Sequence, residues 1–388
     1  MDRMLTTEEA ARRLGVKVPT LYAYVSRGVL ASHRDPNGRG SLFDLADVEA
    51  LATRSRGGRQ TATRLATITT GVTQLHEDLG PIYRGHRATD LAARGATFEE
   101  VAELLWQSDA EGDGDGDWST PELGACPLHH TFDRLRWALV VCGARDPLRS
   151  DLRPSAVARA ARRSAAALAD AVAPADARDA HASIAARLAA RLATSSSGAD
   201  VPTDAVNAAL VLLADHELAT STMAVRVAAS VHADPYDALL AGLATLAGPL
   251  HGGASQMAYE LLVVAERDGA VPALNTVLRE QGRLPGFGHT VYKRGDPRFG
   301  ALLALAEPSM SDEQRAVLHE VIELAAAHDV PLPNCDLALA ALSWGTGMAS
   351  DSGRTIFAVA RVAGWAAHYM EELAERPLRF RARAVYSA

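Results

Sequence analysis

The feature that most restricts the fold is a scarcity of alternating apolar and polar residues, together with long alanine-rich stretches. Ala158-Arg-Ala-Ala-Arg-Arg-Ser-Ala-Ala-Ala-Leu-Ala-Asp170 is one such stretch. Alanine has the strongest intrinsic helix preference, whereas strands draw on β-branched and aromatic residues, and aromatics are only 5% of this chain. The bulk of the sequence therefore reads as all-α. With 388 residues and 48% hydrophobic content, it can fill more than one core, which allows two or three domains.

The three cysteines, Cys126, Cys142 and Cys335, lack the paired spacing of a disulfide framework or a zinc site, which points to a reducing cytoplasm. Met1-Asp-Arg-Met-Leu-Thr-Thr-Glu-Glu9 contains no apolar signal core, and no apolar stretch approaches the roughly 20 residues of a membrane span. The expectation is a soluble, cytoplasmic protein without membrane contact. Ala110-Glu-Gly-Asp-Gly-Asp-Gly-Asp117 is acidic and glycine-rich but lacks the bidentate glutamate that closes a calcium loop, so it reads as a solvated surface loop.

Thr6-Thr-Glu-Glu9 is a capping-box pattern that opens a short helix through Leu14. Gly15 ends it, and Pro19 suits the first turn of a second helix running to Gly28. Val29 to Phe43 reads as a hairpin around Pro36-Asn37-Gly38, and Leu45 to Ala52 as a further helix. This order describes a winged helix-turn-helix. Residues 4–54 resemble the DNA-binding module of MerR-type regulators and excisionases, with Tyr22-Ala-Tyr-Val-Ser-Arg27 on the groove-entering helix. Residues 1–59 hold ten Lys/Arg and seven Asp/Glu, a local balance of +3 in a chain of net charge −8. DNA is a possible partner of such a module; a small helical appendage used for packing or dimer contacts is the other reading. Arg54-Ser-Arg-Gly-Gly-Arg59 looks like a linker.

The remaining chain carries acid, histidine and arginine strings that, by the family resemblance they carry together, would suit carbon–carbon bond formation. Deprotonating a methyl group beside a thioester needs a carboxylate base and a hydrogen-bond donor for the enolate oxygen. A keto-dicarboxylate acceptor needs arginines for its carboxylates and a donor for its keto oxygen. Asp336, in Pro333-Asn-Cys-Asp336, lies at a helix start, where an aspartate also serves as a simple cap. His251 sits in Gly248-Pro-Leu-His-Gly-Gly-Ala254, at a loop-helix junction where a histidine is often only structural. His289 follows Gly286-Phe-Gly288, and Arg298 closes Asp296-Pro-Arg298 nine residues later. Arg361, in the apolar run Phe357-Ala-Val-Ala-Arg-Val-Ala-Gly-Trp365, needs a buried anion, either a ligand or an internal ion-pair partner.

In this order these strings resemble the citrate synthase family over residues 62–388, joined by Ile82-Tyr-Arg-Gly-His86, where an Arg-Gly turn precedes a short helix. The resemblance makes Asp336 the base, His251 the donor to the thioester oxygen and His289 the donor to the keto oxygen. It makes Arg298 and Arg361 carboxylate ligands, and His216, in Leu213-Ala-Asp-His-Glu-Leu-Ala-Thr-Ser-Thr222, a further oxaloacetate contact. Lys293 falls where the family places a cation near the coenzyme A phosphates. Arg381, in Arg381-Ala-Arg-Ala-Val-Tyr386, would reach into the partner's site and so require a homodimer. Leu213, Leu218-Ala219 and Ala382 replace the family's His, Gln-Asn and Pro.

The resemblance implies condensation of acetyl-CoA with oxaloacetate to give citrate and coenzyme A, with no permanently bound cofactor and no metal. A 2-methylcitrate synthase using propionyl-CoA, and a metabolite-sensing DNA-binding regulator, are the alternatives. The expected organisation is a winged helix-turn-helix over 1–57 and a linker over 58–61. A large helical domain over 62–251 and 342–388 and a small one over 252–341 complete it.

Overall fold

The computed structural model describes residues 4–14, 16–26, 29–34, 40–45, 47–48, 68–107, 117–173, 182–193 and 201–381. The chain divides into two compact units, Met1–Ile68 and Thr69–Ala388. Among the described residues, no helix is long and apolar enough to cross a membrane.

In the first unit, α1 (Thr7–Leu14) and α2 (Val18–Ser26) are the expected helix pair. The capping box forms: the Thr6 amide donates to Glu9 Oε2 at 2.9 Å, and the Glu9 amide donates to Thr6 Oγ1 at 3.3 Å. Strands β2 (His33–Arg34) and β3 (Ser41–Asp44) make the expected antiparallel wing. An unexpected strand, β1 (Met4–Thr6), pairs with the other edge of β3 in the order β1-β3-β2. Leu5 and Phe43 face each other across that pair and are both buried, so the residues just before the cap also close the core. Ala10, Ala11, Leu21, Leu30 and Val48 complete it. Gly15, Gly28, the Pro36-Asn37-Gly38 turn, most of the Leu45–Ala52 helix and the Arg54–Arg59 linker lie outside the described residues.

The second unit is helical, as its alanine content requires. Its helices in chain order are α3 (Ala88–Ala93), α4 (Phe98–Trp106), α5 (Thr131–Arg145), α6 (Pro154–Ala171), α7 (Ile184–Leu192) and α8 (Thr203–Leu213). There follow α9 (Thr220–Ser230), α10 (Pro235–Leu246), α11 (Ala254–Asp268), α12 (Ala270–Gln281), α13 (Pro297–Ala306), α14 (Asp312–Ala327), α15 (Cys335–Gly345) and α16 (Ser352–Leu373). A small sheet precedes them: β4 (Thr73–His76), β5 (Gly80–Tyr83) and β6 (His86–Arg87), antiparallel in that order. Arg84 and Gly85, at φ 47° and 91°, make the tight turn between β5 and β6, and α3 follows at once. Of the acidic 110–117 stretch, only the last residue, Asp117, lies within the described residues.

Helix α16 is the axis of this core. From Ser352 to Tyr369 every residue except Arg354 is buried. The loop between α8 and α9 presses directly on it: a Cβ at Gly364 would meet Asp215 Oδ1 and the Ala214 carbonyl at 2.2 and 2.6 Å, so only glycine fits. From the sheet, the buried Tyr83 hydroxyl donates to the carbonyls of Leu212 and Asp215 at 3.1 and 3.2 Å, which fixes the same loop from the other side.

Candidate active site

Two loops are zipped together by backbone bonds. The Gly288 amide donates to the Leu332 carbonyl at 2.8 Å, and the Asn334 amide to the Gly286 carbonyl at 2.9 Å. Gly286 has φ 81°, and a Cβ there would lie 2.9 Å from Leu337 Cβ, so the approach demands glycine. Asn334 also donates its side-chain amide to the Gly288 carbonyl at 2.7 Å. The cap of α15 is this same Asn334, whose Oδ1 accepts the Asp336 amide at 2.9 Å. Asp336 therefore has no capping duty. Its carboxyl is pushed up to about 6 by burial, with Arg298 opposing and Asp296 adding to the rise.

His289 Nδ1 accepts the amides of Val291 and Tyr292 at 3.1 and 3.3 Å. A neutral ring so held carries its proton on Nε2, which makes Nε2 the donor. The ring stacks on Tyr292 at 4.4 Å, and burial, helped by the Arg298 charge, lowers its pKa to about 4. His216 meets His289 edge-on at 5.1 Å, and its Nε2 lies 2.9 Å from the Tyr292 hydroxyl. Burial and then Arg298 hold its pKa well below the usual range.

His251 is fixed from behind. Its Nε2 lies 2.8 Å from Ser221 Oγ, which accepts the Trp365 indole N–H at 3.3 Å. The indole can only donate, which leaves the Ser221 O–H available to His251 Nε2; in the tautomer that this bond selects, the ring carries its own proton on Nδ1. Burial, then the Arg361 charge, lowers this pKa to about 4. Asp336, His251 and His289 line one cavity of about 370 Å³, with Phe287 in its wall and Lys293 at its rim. Lys293 is exposed and donates to the His289 carbonyl at 3.2 Å.

The two buried arginines differ. Arg298 is bound by both ends of the Asp296 carboxylate, at 2.9 and 2.8 Å. Asp296 also accepts the amides of Arg298 and Cys335 at 3.0 Å each, tying this pair to α15. Arg361 donates Nε to the Leu213 carbonyl at 3.0 Å and stacks over Phe357, while its Nη1 and Nη2 are buried without any partner among the described residues. Burial lowers its pKa. A buried guanidinium with open N–H groups is incomplete until an anion arrives.

The structure thus gathers His216, His251, His289, Arg298, Asp336 and Arg361, and places Lys293 beside them. It does not bring in Arg381, which is exposed and the last described residue. Sequence reasoning missed Ser221, Asp296, Asn334 and Tyr292. Asp296 had a legible signal, since Asp before a proline at the first helical position is a cap pattern. Ser221 had none, because its partners are 30 and 144 residues away.

A helical body whose carboxylate shares a cavity with two neutral imidazole donors, beside an open buried guanidinium, is equipped to deprotonate a carbon acid and to hold an anionic acceptor. A family model described as "Citrate synthase, C-terminal domain" matches residues 61–383, and one described as "Helix-turn-helix domain" matches residues 4–56. The chain belongs to the citrate synthase family and is a citrate synthase-type enzyme with an amino-terminal helix-turn-helix domain. Citrate synthase 2 of Bacillus subtilis is 30% identical over 336 residues, 79% of this chain and 89% of the relative. A 2-methylcitrate synthase of Mycobacterium tuberculosis is 30% identical over 320 residues, 75% of this chain and 80% of the relative. The solved ternary complex of Thermoplasma acidophilum citrate synthase with carboxymethyl coenzyme A and oxaloacetate shares the fold. Its TM-score is 0.64 at 24% identity, over 86% of this chain and 96% of that one.

Proposed function

We propose that the enzyme condenses acetyl-CoA with oxaloacetate to give citrate and coenzyme A. The observation that supports this best is one cavity shared by a carboxyl poised at about 6 and two imidazoles held neutral at about 4. Ionised Asp336 takes a proton from the acetyl methyl group, and His251 Nδ1–H stabilises the enol oxygen. The enol carbon then bonds to the keto carbon of oxaloacetate while His289 Nε2–H hydrogen-bonds the keto oxygen and stabilises the alkoxide that develops there; the proton that Asp336 removed is the equivalent that becomes the hydroxyl of citryl-CoA. Water cleaves the thioester of citryl-CoA, releasing citrate and the thiol. Arg361 and Arg298 hold the acceptor's carboxylates, His216 orients it, and Lys293 meets the coenzyme phosphates.

In this reading residues 252–341 are a small domain that closes on the large one, 62–251 with 342–388, and keeps water from the enol. The partner subunit's Arg381 completes each site in a homodimer working in the cytoplasm. Release of coenzyme A thiol, followed with acetyl-CoA and with propionyl-CoA beside Asp336→Ala, tests the assignment. Equal rates for wild type and variant would end it, and faster turnover of propionyl-CoA would move it to 2-methylcitrate. One extra methylene is worth only about 1–3 kcal/mol in a pocket.

The helix-turn-helix match and the wing of β2 and β3 favour a second activity, binding of duplex DNA by residues 1–57. Salt-dependent binding lost on deleting these residues supports it; no binding at low salt removes it.

A further inference from the structure

Helix α16 carries more than Arg361 on its inner stripe. Arg361, Gly364, His368 and Glu372 follow at helical spacing, so one face holds a ligand arginine, a point of closest approach and two further polar groups. His368 Nε2 lies 3.2 Å from Asp215 Oδ2, the carboxylate beside His216 in the loop that also presents the Leu213 carbonyl to Arg361. That same Oδ2 accepts the Glu217 amide at 3.0 Å, so Asp215 shapes the loop around His216. On its other side, His368 Nδ1 lies 3.0 Å from Arg226 Nη1.

Arg226 continues the line. Its Nε donates to Glu372 Oε2 at 2.8 Å and its Nη1 to Glu371 Oε2 at 2.6 Å. Glu372 in turn accepts Arg379 through Nε and Nη2 at 2.7 and 2.6 Å. Arg379 lies two residues before Arg381, on a segment further anchored by the Leu378 amide on the Ser230 carbonyl at 2.9 Å. Asp215, Arg226, His368 and Glu372 are all buried, and Arg226 Nη2 has no partner among the described residues. Buried ions of this kind are a poor source of stability, because apolar residues of similar volume commonly serve as well. What they supply that apolar residues do not is fixed directional geometry.

We propose that Asp215, His368, Arg226, Glu372 and Arg379 form a positioning chain for the keto-acid site, holding the His216 loop at one end and the segment bearing Arg381 at the other. This rests on the reading above, in which Arg381 completes the partner's site. Each subunit's acceptor loop is then mechanically tied to the arginine it lends, so the two sites of a dimer share one framework. None of the five acts on substrate directly: Asp215 acts through His216 and Arg361, and Arg379 through Arg381.

The test uses the full chain carrying Arg379→Ala, His368→Leu or His368→Gln, with oxaloacetate affinity by calorimetry and separate kinetics for each substrate. Arg379→Ala and His368→Leu are expected to weaken oxaloacetate binding and raise its KM about tenfold, with the KM for acetyl-CoA changed less than about twofold. His368→Gln keeps an N–H for Asp215 and restores most of the loss. Arg379→Ala adds nothing in an Arg381→Ala background, because both remove the same contribution. Unchanged oxaloacetate affinity in folded Arg379→Ala overturns the chain, as do additive effects of Arg379 and Arg381, or equal losses for both substrates that track the melting temperature. If His368→Leu fails to fold, the part-exposed Arg379 decides alone. Calorimetry reads the chain independently of turnover. An inactive wild type that still binds oxaloacetate removes the condensation reading only, and one that binds none removes both.

Discussion

On the proposed assignment, the donor and acceptor groups of the site use burial in opposite ways. On the donor side it acts on groups that can change charge: Asp336 rises to about 6 and His251 falls to about 4. On the acceptor side it acts on guanidiniums, which cannot give up their charge. Arg298 meets that problem with Asp296, whereas Arg361 meets it only halfway, through the Leu213 carbonyl. The donor side is thus ready before substrate arrives, and the acceptor side is left unfinished so that an anion completes it.

The largest effect that sharpens this contrast is Asp336→Ala. It should lower kcat about 10³-fold while oxaloacetate affinity, read by calorimetry, stays within a small factor. Next, the two arginines should part company when each becomes leucine. Arg361→Leu should cost about 10²–10³-fold in kcat/KM for oxaloacetate yet raise the melting temperature, since an uncompensated buried cation is gone. Arg298→Leu should lower stability by about 3–5 kcal/mol in denaturant titration, because it strands Asp296. A lower melting temperature for Arg361→Leu would break the comparison.

The pH profile should be one-sided over the working range. As the proposed base Asp336 would act ionised, so with its pKa at about 6, kcat/KM should be flat above pH 6 and fall about tenfold per unit below it. The imidazoles, at about 4, stay neutral throughout and add no second limb. The smallest effect expected is for Ser221→Ala, which frees the His251 tautomer and should lower kcat about tenfold or less, the value of one hydrogen bond.

Much of this site was legible because its residues sit in strings with local reasons to be there. The glycines before His289 announce a tight turn, and an arginine in the apolar run around Arg361 announces a buried guanidinium in need of an anion. What stayed hidden was pairing at long range. Asp215 and His368 are 153 residues apart, and Arg226 and Glu372 are 146 apart, so nothing local marks either pair. The stripe of Arg361, Gly364, His368 and Glu372 was visible as a period but carried no sign of what it faced. The reading of Asp336 as a cap fails because Asn334, two residues earlier, already fills that role. The sheet of β4, β5 and β6 was missed because strands of two to four residues, one containing Pro81, are too short to show a period. Strand β1 is only three residues long and ends on Thr6, the same residue that opens the capping box, so no strand period shows there.

Among the described residues, the first unit's interior, closed by Leu5, Leu21, Leu30, Phe43 and Val48, shares no residue with the interior of the second. The consequence is genealogical. The family matches stop at residue 56 and resume at residue 61, so a single recombination event near that joint falls between the two matched modules and cuts through neither described interior. A lineage can gain, trade or lose the first module as one unit of inheritance, while the synthase body evolves under the demands of its own chemistry.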